Sequence, residues 1–282
     1  MKRSFFVCAI VLLLFSSCAQ EFNRVSQSTD QTYRYEYAKE CFVMGQYHYA
    51  EPLLRELISV TKGTDNAQEC LFLLAMTEYK MEDYPSAAEV FKKYIQTYPN
   101  GYYAEKASFY IGESLYQDSP EPRLDQAPTL AAIAAYQEYM DLFPNGKMRK
   151  TAQTRMFQLQ DKLVRKEYLT AKLYYNLGSY FGNCTYGGNN YEACIITSQN
   201  ALNDYPYSSL RKDFAILIMK SKFELAEISI EEKAHQRYQD AEDECYGFIN
   251  EYPDAKERVL ADKLIAKCKK ILNTEQKVSS PK

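Results

Sequence analysis

The sequence contains no tryptophan and only two histidines, His48 and His235. They stand near equivalent turns of different repeats, so a shared metal site or a histidine general base is not expected. No H-E-x-x-H, G-x-S-x-G, G-x-G-x-x-G or P-loop spacing occurs, which removes the common hydrolase and nucleotide-binding signatures. Carboxylates are plentiful, as in Glu231-Glu232. They are spread over amphipathic stretches, and nothing selects the facing pair that glycoside hydrolysis needs. Basic runs are missing, and 37 acidic residues outnumber 34 basic ones. That argues against nucleic acid as a partner. No catalytic residue, metal ligand or cofactor is predicted.

What the chain does contain is a repeated spacing. Ala50, Ala87, Ala132, Cys194 and Ala241 serve as origins. Positions +4, +7, +8 and +11 from each are mostly apolar or aromatic, as in Phe91, Tyr94, Ile95 and Tyr98. These steps lie on one face of an α-helix. The small residue at the origin lets a neighbouring helix approach closely. Proline follows at +12 in four cases, Pro99, Pro144, Pro206 and Pro253, with Lys62 the exception. Proline ends a helix, because it lacks an N–H and turns the residue before it away from helical angles. One such helix cannot bury its face alone, but several stacked together can. The expected fold is all-α, a tetratricopeptide-like helical solenoid of about five helix pairs with a C-terminal capping helix.

Residues 1–17 read as a lipoprotein signal peptide. Lys2 and Arg3 precede an apolar run, Phe5 to Phe15, that is too short to span a bilayer. Phe15-Ser16-Ser17-Cys18 then looks like a lipoprotein processing site, with Cys18 as the lipid-attachment residue. Such an anchor holds a protein on a membrane surface without spanning it. Residues 18–31 are polar and aperiodic, and read as a tether. The predicted repeat domain is 32–273, and 274–282 is expected to be disordered. Loss of residues 1–17, with two basic and no acidic side chains, takes the formal charge from −3 to −5.

Cys41, Cys70, Cys184, Cys194, Cys245 and Cys268 remain after Cys8 and Cys18. None forms C-x-x-C, and most sit at helical spacing where cysteine acts as a small hydrophobe. A Cys184–Cys194 bridge across a loop is the alternative for that pair. The 26 tyrosines also admit two readings. They suit a solenoid core, where the ring packs and the hydroxyl reaches water. They also suit a groove that grips extended peptides.

Origin spacings of 37, 45, 62 and 47 residues exceed the bare tetratricopeptide period of about 34. The excess falls in a proline-rich loop at 118–128, a long helix or two abutting ones over 147–177, and a glycine-containing loop at 183–190. A closing helix is expected over 255–272.

These features resemble the BamD (YfiO) family, lipoprotein partners of the outer-membrane β-barrel assembly machine. The resemblance spans roughly 32–272 and is clearest from Asp125-Gln126 to Pro206. Ala131–Asn145, ending Leu-Phe-Pro-Asn, is similar to the family's third unit. Ala152, Arg155, Met156 and Leu159 match its A-x-x-R-M-x-x-L stretch. Tyr168, Ala171, Tyr174, Tyr175 and Gly178 match its tyrosine-rich pattern, with Leu177 where the family has arginine. The resemblance implies a non-enzymatic scaffold on the periplasmic leaflet of the outer membrane. Its partners would be a BamA-like barrel subunit, other assembly-complex lipoproteins and unfolded outer-membrane protein clients. Tyr47, Tyr79, Tyr84 and Tyr110 are the candidate groove residues. Tyr174–Tyr180, with Tyr174, Tyr175 and Gly178, and the loop after it form the candidate docking region. Asp125, Gln126 and Arg155 are further candidate partner-binding residues, and inter-helix packing is the competing role for each tyrosine. Two alternatives remain open on sequence: a glycan-capturing lipoprotein and a periplasmic envelope-synthesis coordinator.

Overall fold

The computed structural model describes residues 20–64, 66–180 and 189–279. Among them only helices are regular: α1 (20–26), α2 (Gln31–Val43), α3 (Tyr47–Val60), α4 (Ala67–Lys80), α5 (Tyr84–Thr97), α6 (Ala104–Asp118), α7 (Ala127–Leu142), α8 (Arg149–Leu177), α9 (Asn190–Asp204), α10 (Arg211–Glu227), α11 (Glu231–Glu251) and α12 (Arg258–Ser279). Two compact units divide them. The first holds α1 to α7 and α8 as far as Leu159. The second holds residues 121–124, the rest of α8, and α9 to α12. Within each unit, successive helices pack on one another, the arrangement of a tetratricopeptide-like solenoid.

The repeated spacing accounts for this packing. All five origins, Ala50, Ala87, Ala132, Cys194 and Ala241, are fully buried. Each lies in the core of its own pair, on α3, α5, α7, α9 or α11. The proline signal also acts as chemistry requires. Tyr98, Phe143, Tyr205 and Tyr252 close their helices with φ of −132°, −125°, −128° and −127°. Thr61, which no proline follows, closes α3 in the helical region instead, at φ −79°.

A second device repeats in unit one. The hydroxyl of Tyr94 accepts from the Tyr103 N–H at 3.1 Å, just before α6. The hydroxyl of Tyr139 accepts from the Met148 N–H at 3.1 Å, just before α8. Each hydroxyl also donates to the second residue of the preceding first helix, Gln68 at 3.2 Å and Glu105 at 3.3 Å. Those acceptors take a further turn N–H, from Tyr102 and Lys147. The +7 tyrosines thus satisfy helix-start donors that have no partner inside their own helix.

The 147–177 stretch, read as one long helix or two abutting ones, holds a single helix, Arg149–Leu177, after a turn at 147–148. Three further expectations meet different outcomes. Residues 20–26, read as tether, form α1, and Val25 is fully buried in the first core beside Phe22. The Phe22 ring lies 5.0 Å from Tyr49 of α3. The closing helix continues to Ser279, into the segment expected to be disordered. Cys194 is a buried free thiol, while Cys184 and the 183–188 part of its loop lie outside the described residues.

Candidate functional site

Three of the four candidate groove tyrosines meet in unit one. The Tyr79 ring of α4 contacts Tyr84 of α5 at 5.5 Å and Tyr110 of α6 at 5.1 Å, both edge-on. Tyr110 stacks on Phe91 at 5.5 Å. All three tyrosines are half-buried. Burial, with Glu113 next in size, pushes the Tyr79 hydroxyl up to about 12. Tyr110 moves the same way for the same two reasons. Both therefore stay protonated donors near neutral pH. Tyr47 stands apart, half-buried at the start of α3 with its ring 5.6 Å from Phe42.

Glu113 is the polar centre beside this cluster. It is buried on α6. Its carboxylate accepts from the Tyr136 hydroxyl at 2.7 Å, from Arg155 at 3.2 Å and from Gln117 at 3.2 Å. A buried carboxylate is tolerated only with such partners. Burial, then Glu113, raises the Tyr136 hydroxyl well above the usual phenol range. Arg155 lies over the Tyr116 ring at 4.2 Å, and both side chains meet Gln158. Arg155, a candidate on sequence, thus reaches Glu113 across 42 residues of chain. Glu113 and Tyr116 were not singled out by sequence. The one local signal for Glu113 is an acid flanked by Ile111, Gly112, Ser114 and Leu115 on α6.

Asp125 and Gln126 have local roles. Exposed Asp125 accepts from the Ala127 N–H at 3.4 Å. Gln126 is 3 % exposed and accepts from the Thr129 hydroxyl at 2.7 Å. In unit two, Tyr174 and Tyr175 pack half-buried against the core of α8 to α10. Lys220 lies 4.8 Å from the Tyr175 ring. The Gly178 carbonyl accepts from the Asn190 side chain at 3.1 Å, which joins the end of α8 to α9. Tyr180 is 62 % exposed. Cys18 lies outside the described residues.

Next to Tyr79, Glu78 is 2 % exposed and takes the Arg55 guanidinium at 2.6 Å. Burial outweighs the attraction of Arg55, itself mostly in water, and pushes the Glu78 carboxyl up to about 7. The folded chain therefore holds this proton more tightly than the unfolded one. Its contribution to stability is full below about pH 4.5 and is lost as pH rises through about 7. Glu78→Gln is expected to stabilise the chain by about 2 kcal/mol at pH 8 and to change little at pH 4.5. Thermal unfolding followed by circular dichroism at both pH values checks this. Equal shifts at the two would contradict it.

Paired helices with buried small residues at the repeat origins define a helical-repeat protein of the tetratricopeptide-like class. The family model described as YfiO, outer membrane lipoprotein, matches residues 27–185, and the chain belongs to this family. The outer membrane protein assembly factor BamD of Pasteurella multocida is 26 % identical over 184 residues, which cover 61 % of this chain and 69 % of that protein.

Proposed function

We propose that this chain is a non-enzymatic scaffold lipoprotein in the assembly of outer-membrane β-barrels. The observation that carries the reading is its membership of the YfiO family, together with its likeness to an assembly factor. Cys18 carries the lipid and holds the repeat domain at the periplasmic leaflet. The Tyr79–Tyr84–Tyr110 cluster offers edges and hydroxyls to extended client segments, in the mode by which grooves grip peptide backbones. The end of α8, from Tyr174 to Tyr180, docks a periplasmic domain of a BamA-like barrel subunit, within a complex that includes other lipoproteins.

Purification of the tagged full chain in mild detergent, with identification of what comes with it, tests the partnership. A barrel protein with periplasmic repeats is expected. Recovery of glycan transporters alone would overturn the reading. Tyr180→Glu changes an exposed side chain, so folding should be unaffected. It should cut recovery of the barrel subunit about tenfold if this ring is a central contact. Tyr84→Ala should instead weaken client-peptide binding and leave the barrel subunit bound.

A further inference from the structure

Unit two carries a groove that the proposed function does not use. Pro122 and Arg123 form one wall, and the α8 side chains Lys166, Leu169, Lys172 and Leu173 line the other side, around a volume of about 460 Å³. Residues 166, 169 and 173 follow the 3–4 spacing of a single helix face. Leu173 is 56 % exposed and lines the groove with these cations. Arg123, Lys166 and Lys172 make no ion pair among the described residues. The neighbouring acid on α8, Glu167, acts on the Tyr205 hydroxyl of α9 instead. Three cations without an ion pair among the described residues, one of them (Lys172) 5.9 Å from the Tyr168 ring, thus line a groove with half-buried Leu169 and exposed Leu173 on a chain of net charge −3.

We propose that this groove docks an extended acidic segment of a partner polypeptide. One aliphatic side chain of that segment rests on Leu169 and Leu173. Carboxylates on either side of it pair with Arg123 and with Lys166 or Lys172. Charge complementarity selects an anion, and the apolar floor selects a side chain beside it. A single anionic headgroup would meet the cations but not the leucines, whereas one short acidic segment with an aliphatic side chain meets both, which favours the peptide. The proposal stands apart from the assembly reading and does not depend on it.

The test is fluorescence anisotropy on the detergent-solubilised full chain. The probe is a labelled ten-residue peptide with a central Glu-Leu-Glu in a Gly/Ser background. It should bind, and binding should weaken as salt rises. Counterparts with Gln-Leu-Gln or Glu-Ser-Glu should bind at least about tenfold more weakly. Lys166→Glu combined with Lys172→Glu should weaken binding of the first peptide by a similar factor, with an unchanged melting curve. Arg123→Gln, on the loop wall, provides an independent variant should the helix pair disturb folding. Absence of binding, equal binding of the neutral peptide, or binding unaffected by either variant overturns the proposal. So does a loss confined to phosphatidylglycerol vesicles with peptide binding intact, since that outcome makes the groove a lipid site.

Discussion

Tyr136→Ala is expected to remove about 4 kcal/mol of unfolding free energy, the cost of deleting a large buried ring. Tyr136 is fully buried in the α6–α8 core, 5.9 Å from the Phe109 ring. Its ring leaves no space for a Cβ on Gly112, which would come within 2.7 Å of it. Alanine would leave a cavity in this core. The variant also takes a donor from Glu113, leaving that buried carboxylate with Arg155 and Gln117. Tyr136→Phe keeps the ring and removes only the hydroxyl, so it should cost about 1–2 kcal/mol. Denaturant unfolding followed by circular dichroism separates the two. An alanine variant within about 1 kcal/mol of the parent would show that the ring is not structural.

Gly146→Ala should cost about 2–3 kcal/mol, although it adds a single methyl group. A Cβ there would lie 2.4 Å from the Tyr139 hydroxyl and 2.9 Å from the Phe143 carbonyl oxygen. Tyr139 cannot swing aside, because it is fully buried and its hydroxyl sits between Glu105 and the Met148 N–H. A double-mutant cycle identifies the cause. Tyr139→Phe removes the obstructing oxygen, so Gly146→Ala should be less harmful in that background. Strict additivity would place the strain on the Phe143 carbonyl and the Tyr139 ring carbon 3.0 Å away rather than on the hydroxyl.

The repeats were legible because period and burial coincide. Small residues at the origins, apolar positions on one face and proline at +12 are all short-range signals, and each does locally what its chemistry demands. The tyrosines were legible only in part. Sequence placed Tyr94 and Tyr139 on the buried face, but it could not show their hydroxyls reaching Gln68 and Glu105, 26 and 34 residues away. Of the four candidate groove tyrosines, Tyr79, Tyr84 and Tyr110 meet ring to ring and Tyr47 packs against Phe42, a grouping set by tertiary packing that sequence does not display. The burial of Gln126 against Thr129 was not legible either, since no local pattern marks it. Helix α1 escaped notice because seven mostly polar residues offer too short a window for periodicity. Its formation follows from the burial of Val25, a tertiary effect.

The hydroxyl bridges of Tyr94 and Tyr139 also bear on how this array comes apart. Each ring is rooted in one hairpin, while its oxygen holds the opening turn of the following hairpin. Loosening one of these hairpins therefore frees the opening turn of its successor within unit one. In a fold whose neighbours usually meet through apolar contact alone, these phenols act as dowels that fasten consecutive modules.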